Sequence, residues 1–131
     1  MNQMNYKETE EFQKDFKRLI KKFRSLWEDL EFVKIATIEP YHIGIFLNGV
    51  LEKKDANAIF PIPNFCTEEL KICKLKKFAC KTLKGRGVKS GIRVIYAYHV
   101  LTNKIDFIEM YFKGESENEN KERIKEYLSS I

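Results

Sequence analysis

The 131-residue chain holds three cysteines and two histidines, and neither type is placed to bind a metal. Cys66, Cys73 and Cys80 are seven residues apart, and on a strand an odd spacing alternates faces, so they do not converge on one ion. His42 and His99 have no further ligand at metal-binding spacing. No metal and no cofactor is therefore expected. An odd number of cysteines does not make a closed disulfide framework, and Met1–Tyr6 lacks the basic-then-apolar layout of a signal peptide. Reduced thiols and a cytoplasmic location are the expectation. Long apolar runs are missing too: Ile92–Val100, interrupted by Arg93, is far shorter than a membrane span, so no membrane partner is expected. Repeats and low-complexity segments are absent. Gly87-Val88-Lys89-Ser90 lacks the adjacent Gly-Lys-Ser of a phosphate-binding loop and lies between strands rather than before a helix.

What is present suffices for one core. Apolar residues make up 44% and aromatics 13%, which argues against disorder. The length suits a single domain over 1–131, with residues 41–66 reading as an insertion packed on it.

Charge is segregated. The net +5 arises almost entirely in residues 67–93, where Lys71, Lys74, Lys76, Lys77, Lys81, Lys84, Arg86, Lys89 and Arg93 face only Glu68 and Glu69. Such a concentrated field suits a polyanion, nucleic acid above all, although a solvated basic strand and turn has the same composition.

Phe12, Phe16, Leu19, Ile20 and Phe23 recur at helical steps, and Leu26, Trp27, Leu30 and Val33 continue them. Ser25 with Glu28 reads as a capping box, which divides the segment into a helical hairpin ended by Pro40. Tyr6–Thr9 is a candidate short edge strand. Ile43–Val50 reads as a short apolar strand closed by an Asn-Gly turn, and Pro61, Pro63 and Asn64 mark a loop. Three strands follow: a bent one over Leu70–Leu83, Ile92–His99 after the turn Lys84–Gly91, and Ile105–Lys113 after a hairpin at Leu101–Lys104. Glu117–Leu128 is a last helix, with acidic residues in its first turn. The class is α+β: an N-terminal helical hairpin on a small antiparallel sheet, then a C-terminal helix.

Alternation puts Lys74 and Lys76 on one face of their strand, roughly 7 Å apart, which suits successive phosphates. Arg93, on the next strand, stands near them if the long turn closes a hairpin, and its guanidinium can hold a phosphate through two parallel hydrogen bonds. Clustered cations can stabilise a phosphorane, and a lysine crowded by its neighbours can move a proton. Lys81, Lys84, Arg86 and Lys89 around the glycine-containing turn are candidate RNA-binding residues, and Tyr111 a candidate for stacking a base. His99, on the same face as Arg93, is a weaker candidate acid or base, as is Tyr127. Glu109, inside an apolar strand, is expected to pair with a nearby cation.

Lys74-Leu75-Lys76, followed by Ser90-Gly91-Ile92-Arg93-Val94-Ile95-Tyr96, resembles the RelE/ParE superfamily of toxin–antitoxin toxins. There a strand with spaced lysines leads through a turn to a G-x-R-[LVI]-[VI]-Y strand and a further apolar strand ending in a basic residue, here Lys113. The resemblance implies a toxin that cuts mRNA, in many members on the ribosome, and a cognate antitoxin that blocks the basic face. Carried over by position, Arg93 would stabilise the phosphorane, Lys74 and Lys76 would match the spaced lysines with Lys76 as general base, and Lys113 would act as acid. The chain departs from the pattern where Lys113 is followed by Gly114 instead of a second basic residue, and where no tyrosine stands at the usual distance beyond it. A ParE-like toxin that inhibits DNA gyrase without chemistry, and a non-catalytic nucleic-acid-binding module, are the alternatives.

Overall fold

The computed structural model describes residues 4–53 and 57–131, with only the backbone at 45–47. Residues 1–3, read above for an export signal, and 54–56 of the inserted segment lie outside the described residues.

The chain opens with strand β1, Asn5–Glu8, then helix α1, Glu10–Leu19, and helix α2, Leu26–Val33. Thr9 caps α1 by accepting from the Phe12 amide at 3.2 Å. Phe12 and Leu19 are the buried positions of α1, and Leu26, Leu30 and Val33 continue the core along α2. The expected capping box at Ser25 does not form. Its hydroxyl bonds to Asp29 at 2.6 Å and to Thr82 at 2.8 Å, which ties the start of α2 to the loop after the lysine strand.

Pro40 does not end the second helix, contrary to expectation. A wide π-helical turn at Lys34–Ile38 leads into a short helix α3, Glu39–His42, with Pro40 in its first turn. A proline is tolerated at a first helical turn because the amide it lacks has no intrahelical partner there.

The inserted segment then forms strands β2, Ile45–Leu47, and β3, Val50–Glu52, around Asn48-Gly49. Both turn residues have positive φ, 51° and 78°, the signature of a type I′ hairpin. The same segment supplies a strand absent from the sequence reading: β4, Ile59–Pro61, where a loop was expected from Pro61 onward.

β5, Leu70–Leu75, β6, Ile92–His99, and β7, Lys104–Phe112, form the antiparallel meander, and α4, Lys121–Ser130, closes the chain. The sheet therefore has five strands in the order β1-β7-β6-β5-β4, with β1 parallel to β7 and the rest antiparallel. β5 stops eight residues short of the expected Leu83, because Phe78 and Cys80 turn inward to the core beneath α2.

Two cores flank the sheet. Val94, Tyr96, Leu75, Phe107 and Met110 pack toward α1 and α2. Ile72, Ile95, Ala97, Ile108 and Tyr111 pack toward Ile124 and Tyr127 of α4. Both faces of β6 are thus covered, as its doubly apolar pattern requires.

Candidate anion-binding cleft

The cleft forms where β5 ends, β6 begins and β7 ends. Beyond Leu75 the chain leaves the sheet at Lys76, whose amide still donates to the Ala58 carbonyl at 2.8 Å. A long irregular connection then returns to β6. Ser90, fully buried, anchors that return: its hydroxyl donates to the Phe78 carbonyl and accepts from the Ile92 amide at 3.1 Å. This clamp, together with a bridge between Phe78 and Lys89, fixes Lys89 beside the start of β6. Ser90 was not singled out in the sequence as a positioning residue, because nothing in a lone serine before a glycine announces burial.

Two glycines give the cleft its shape. Gly91 has φ +86°, a region that favours glycine, and accepts the Lys113 amide at 2.8 Å, which seats the end of β7 beside the start of β6. At Gly114 an added Cβ would lie 2.6 Å from the Phe112 ring. That ring is packed edge-on against Phe23 at 5.0 Å between centroids and is not free to move aside. A side chain at position 114 would therefore have to displace the Phe112 ring.

The result is a cleft of about 520 Å³ lined by Asn57, Phe60, Lys76, Lys77, Val88, Lys89, Gly91, Arg93 and Lys113. No carboxylate lines it among the described residues, and none of its five cations makes an ion pair with a described residue. Arg93 is aimed by its own backbone surroundings: Nη1 donates to the Lys76 carbonyl at 2.8 Å and to the Ile92 carbonyl at 3.4 Å. Nη2 and Nε make no hydrogen bond to a described residue, so one edge of the guanidinium fork keeps its donors unspent. Lys76 Nζ rests 4.8 Å from the centre of the Phe60 ring. Such a concentration of cations lowers its electrostatic energy by taking up an anion.

The structure brings Lys76, Arg93, Lys113 and Lys89 together and leaves the other candidates elsewhere. Lys74 lies under α4, not in the cleft. Its Nζ donates to Glu119 at 2.8 Å, both side chains mostly buried. Burial alone would pull this ammonium down, but its contacts with Glu119 and Tyr111 together outweigh that and hold the pKa above the ordinary lysine value. This position corrects its reading as a cleft residue. Tyr111 is only 3% exposed, in the core beneath α4, so it cannot stack a base. Lys81 pairs with Glu28 at 3.2 Å. Lys84 and Arg86 are exposed on the connecting loop but do not line the cleft.

His99 stands at the far end of β6, six residues and roughly 20 Å along the strand from Arg93. It contacts the Tyr127 hydroxyl at 2.7 Å and Asp106 at 3.2 Å, and Tyr127 donates to Asp106 at 2.5 Å. Burial and this bond raise the Tyr127 pKa. The trio fastens α4 to the sheet and is remote from the cleft. Glu109 does not find the cation expected of it in the meander. It accepts the Asn120 amide at 2.9 Å, at the start of α4, and burial raises its pKa.

The architecture is thus a mixed α+β sheet with a helical pair on one face, a single helix on the other, and a cationic cleft at one end of the central strands. No family model matches the chain, and no curated protein is similar to it in sequence. Among solved structures it is similar to a chain in the crystal structure of the archaeal RelE–RelB complex from Pyrococcus horikoshii OT3. The TM-score is 0.50 and the identity 14%, covering 88% of this chain and 100% of that one. The likeness is one of fold, and the fold is RelE-like. No helix among the described residues is long and apolar enough to cross a membrane.

Proposed function

We propose that this chain is the toxin of a toxin–antitoxin pair, a RelE-like endoribonuclease that cuts mRNA on the ribosome in the cytoplasm and is held inactive by a cognate antitoxin. The observation that carries this reading is the cleft of Lys76, Lys77, Lys89, Arg93 and Lys113, lined by no described carboxylate. The RelE-like fold supports it.

The chemistry needs three parts. Lys76, in its neutral form, accepts the proton of the RNA 2′-hydroxyl as that oxygen attacks phosphorus. Arg93 holds the negative oxygens of the phosphorane with Nη2 and Nε. Lys113 protonates the departing 5′-oxygen. The products are a 2′,3′-cyclic phosphate and a 5′-hydroxyl. Among the described residues the lining of ammonium and guanidinium groups supplies no ligand set for a divalent metal, so the charge stabilisation is assigned to the side chains themselves.

The test is induced expression with mapping of mRNA 5′ ends, with Arg93→Ala alongside. New ends within translated codons and growth arrest are expected, both lost in the variant. Arrest with intact mRNA and DNA-damage signalling would favour a ParE-like action on DNA gyrase. One observation favours such binding without chemistry: neither histidine nor carboxylate lines the cleft among the described residues, so proton transfer falls to lysine alone. Salt-sensitive binding of nucleic acid with no cleavage and no arrest would leave a non-catalytic nucleic-acid-binding module.

A further inference from the structure

Phe60 has no place in either core. Its neighbours Ile59 and Ile62 are buried, at 1% and 6% exposure, while Phe60 is 39% exposed and belongs to neither hydrophobic cluster. It sits on β4, the outer strand of the sheet, and its ring lines the cationic cleft. Packing therefore does not account for an aromatic at this position. The side chain beside it does: Lys76 Nζ lies 4.8 Å from the ring centre, an exposed cation–π contact.

We infer that Phe60 is a stacking platform for one nucleobase of a single-stranded RNA whose adjacent phosphate is held by Arg93. This rests on the cleft being an RNA site and adds a base subsite to it. A cationic lining alone attracts any polyanion; an aromatic face beside it selects one that carries π-faced groups next to its phosphates. In a nucleotide the base and the phosphate are separated by one sugar, and here the aromatic ring lines the same cleft as the cations, with Lys76 against its face, so one nucleotide can engage both. A base arriving on the ring face occupied by Lys76 takes that cation's place. Lys76 Nζ then turns from the ring toward the ribose 2′-hydroxyl whose proton it accepts. Single strands are favoured over duplex because only an unstacked base can present its face to the ring. Stacking is tolerant of base identity, so little sequence preference arises here.

The experiment measures binding of two 2′-O-methyl RNA hexamers that cannot be cut: one of adenosine and one abasic, with the same phosphates. The wild-type chain is expected to bind the adenosine hexamer about 5- to 100-fold tighter. Phe60→Ala is expected to abolish that preference, and Phe60→Trp to retain it. In a Trp27→Phe background, the emission of Phe60→Trp should be quenched by the adenosine hexamer and not by the abasic one. Circular dichroism melts establish that each variant is folded, and Phe60→Leu supplies a non-aromatic variant of similar bulk should the alanine variant be unstable. Equal binding of the two hexamers by the wild-type chain, or an undiminished preference in folded Phe60→Ala and Phe60→Leu, overturns the stacking role. If Arg93→Ala still weakens both hexamers in that case, the cleft remains the RNA site. If neither hexamer binds, or Arg93→Ala changes nothing, the RNA reading of the cleft falls and the Phe60 subsite falls with it.

Discussion

Arg93 is the residue whose geometry says most about the cleft. Two backbone carbonyls hold Nη1, and this leaves a flat pair of donors unspent. A lysine at the same position would keep the charge and lose the fork. Arg93→Lys is therefore expected to lower the cleavage rate about 10- to 1,000-fold, as loss of a transition-state donor does, in a single-turnover assay. A rate equal to wild type would show that charge alone suffices. Lys74 behaves differently. Lys74→Met leaves Glu119 without its partner near the start of α4, and the expected cost is on the order of 2 kcal/mol, less than for a fully buried pair. Urea titration measures it, and cleavage by the folded fraction should persist. Arg93 and Lys113 could be picked out of the sequence because a basic residue in or after an apolar strand stands out. Lys74 and Tyr111 misled because strand alternation gives a face but not what covers that face. The covering helix α4 begins 47 residues after Lys74 and lies in neither strand's own pattern.

Among the elements, α3 carries a pH signature. His42 is held on Tyr98 at 4.1 Å between centroids, with Nε2 2.7 Å from the Tyr96 hydroxyl. Burial, with a smaller contribution from Lys53, lowers its pKa to about 4. The unfolded chain takes up this proton near the ordinary value of about 6.5, and the folded chain resists it. Stability is therefore unaffected by this group above pH 6.5 and falls as the pH drops from there toward 4, by at most about 1.4 kcal/mol per unit. Urea midpoints between pH 7 and pH 5 should decline more steeply for wild type than for His42→Gln, and parallel profiles would contradict the assignment. At the other end of the chain, Asn120 caps α4 by accepting from the Arg123 amide at 3.2 Å. Asn120→Ala should cost about 1 kcal/mol in the same titration. Element types were largely readable: the helical stripe around Phe12 and the β-branched run of β6 have clear periods. Their ends were less so. The π-helical turn let the chain carry helix past Pro40, and the inward turn of Phe78 cut β5 short. β4 was hidden because three residues, the last of them a proline, hold no period at all.

For the whole molecule, the unequal spread of charge becomes a shape. The first 40 residues balance their charges and build the helical face, while Lys76, Lys77, Lys89 and Arg93 of the basic stretch gather with Lys113 at one end of the sheet. RNA binding should therefore depend strongly on salt. If three phosphates are engaged, log K should fall with log salt at a slope of about −2, and Arg93→Ala should reduce the slope by roughly 0.7. A flat salt dependence would place the binding energy outside the cleft. The central claim, that these side chains themselves carry the phosphorane's charge, is tested most directly by the chemistry of the cut ends on ribosome-bound mRNA. The account predicts a 2′,3′-cyclic phosphate upstream and a 5′-hydroxyl downstream, neither formed by Arg93→Ala. Fragments ending in a 3′-hydroxyl and a 5′-phosphate, or mRNA left whole, would contradict it.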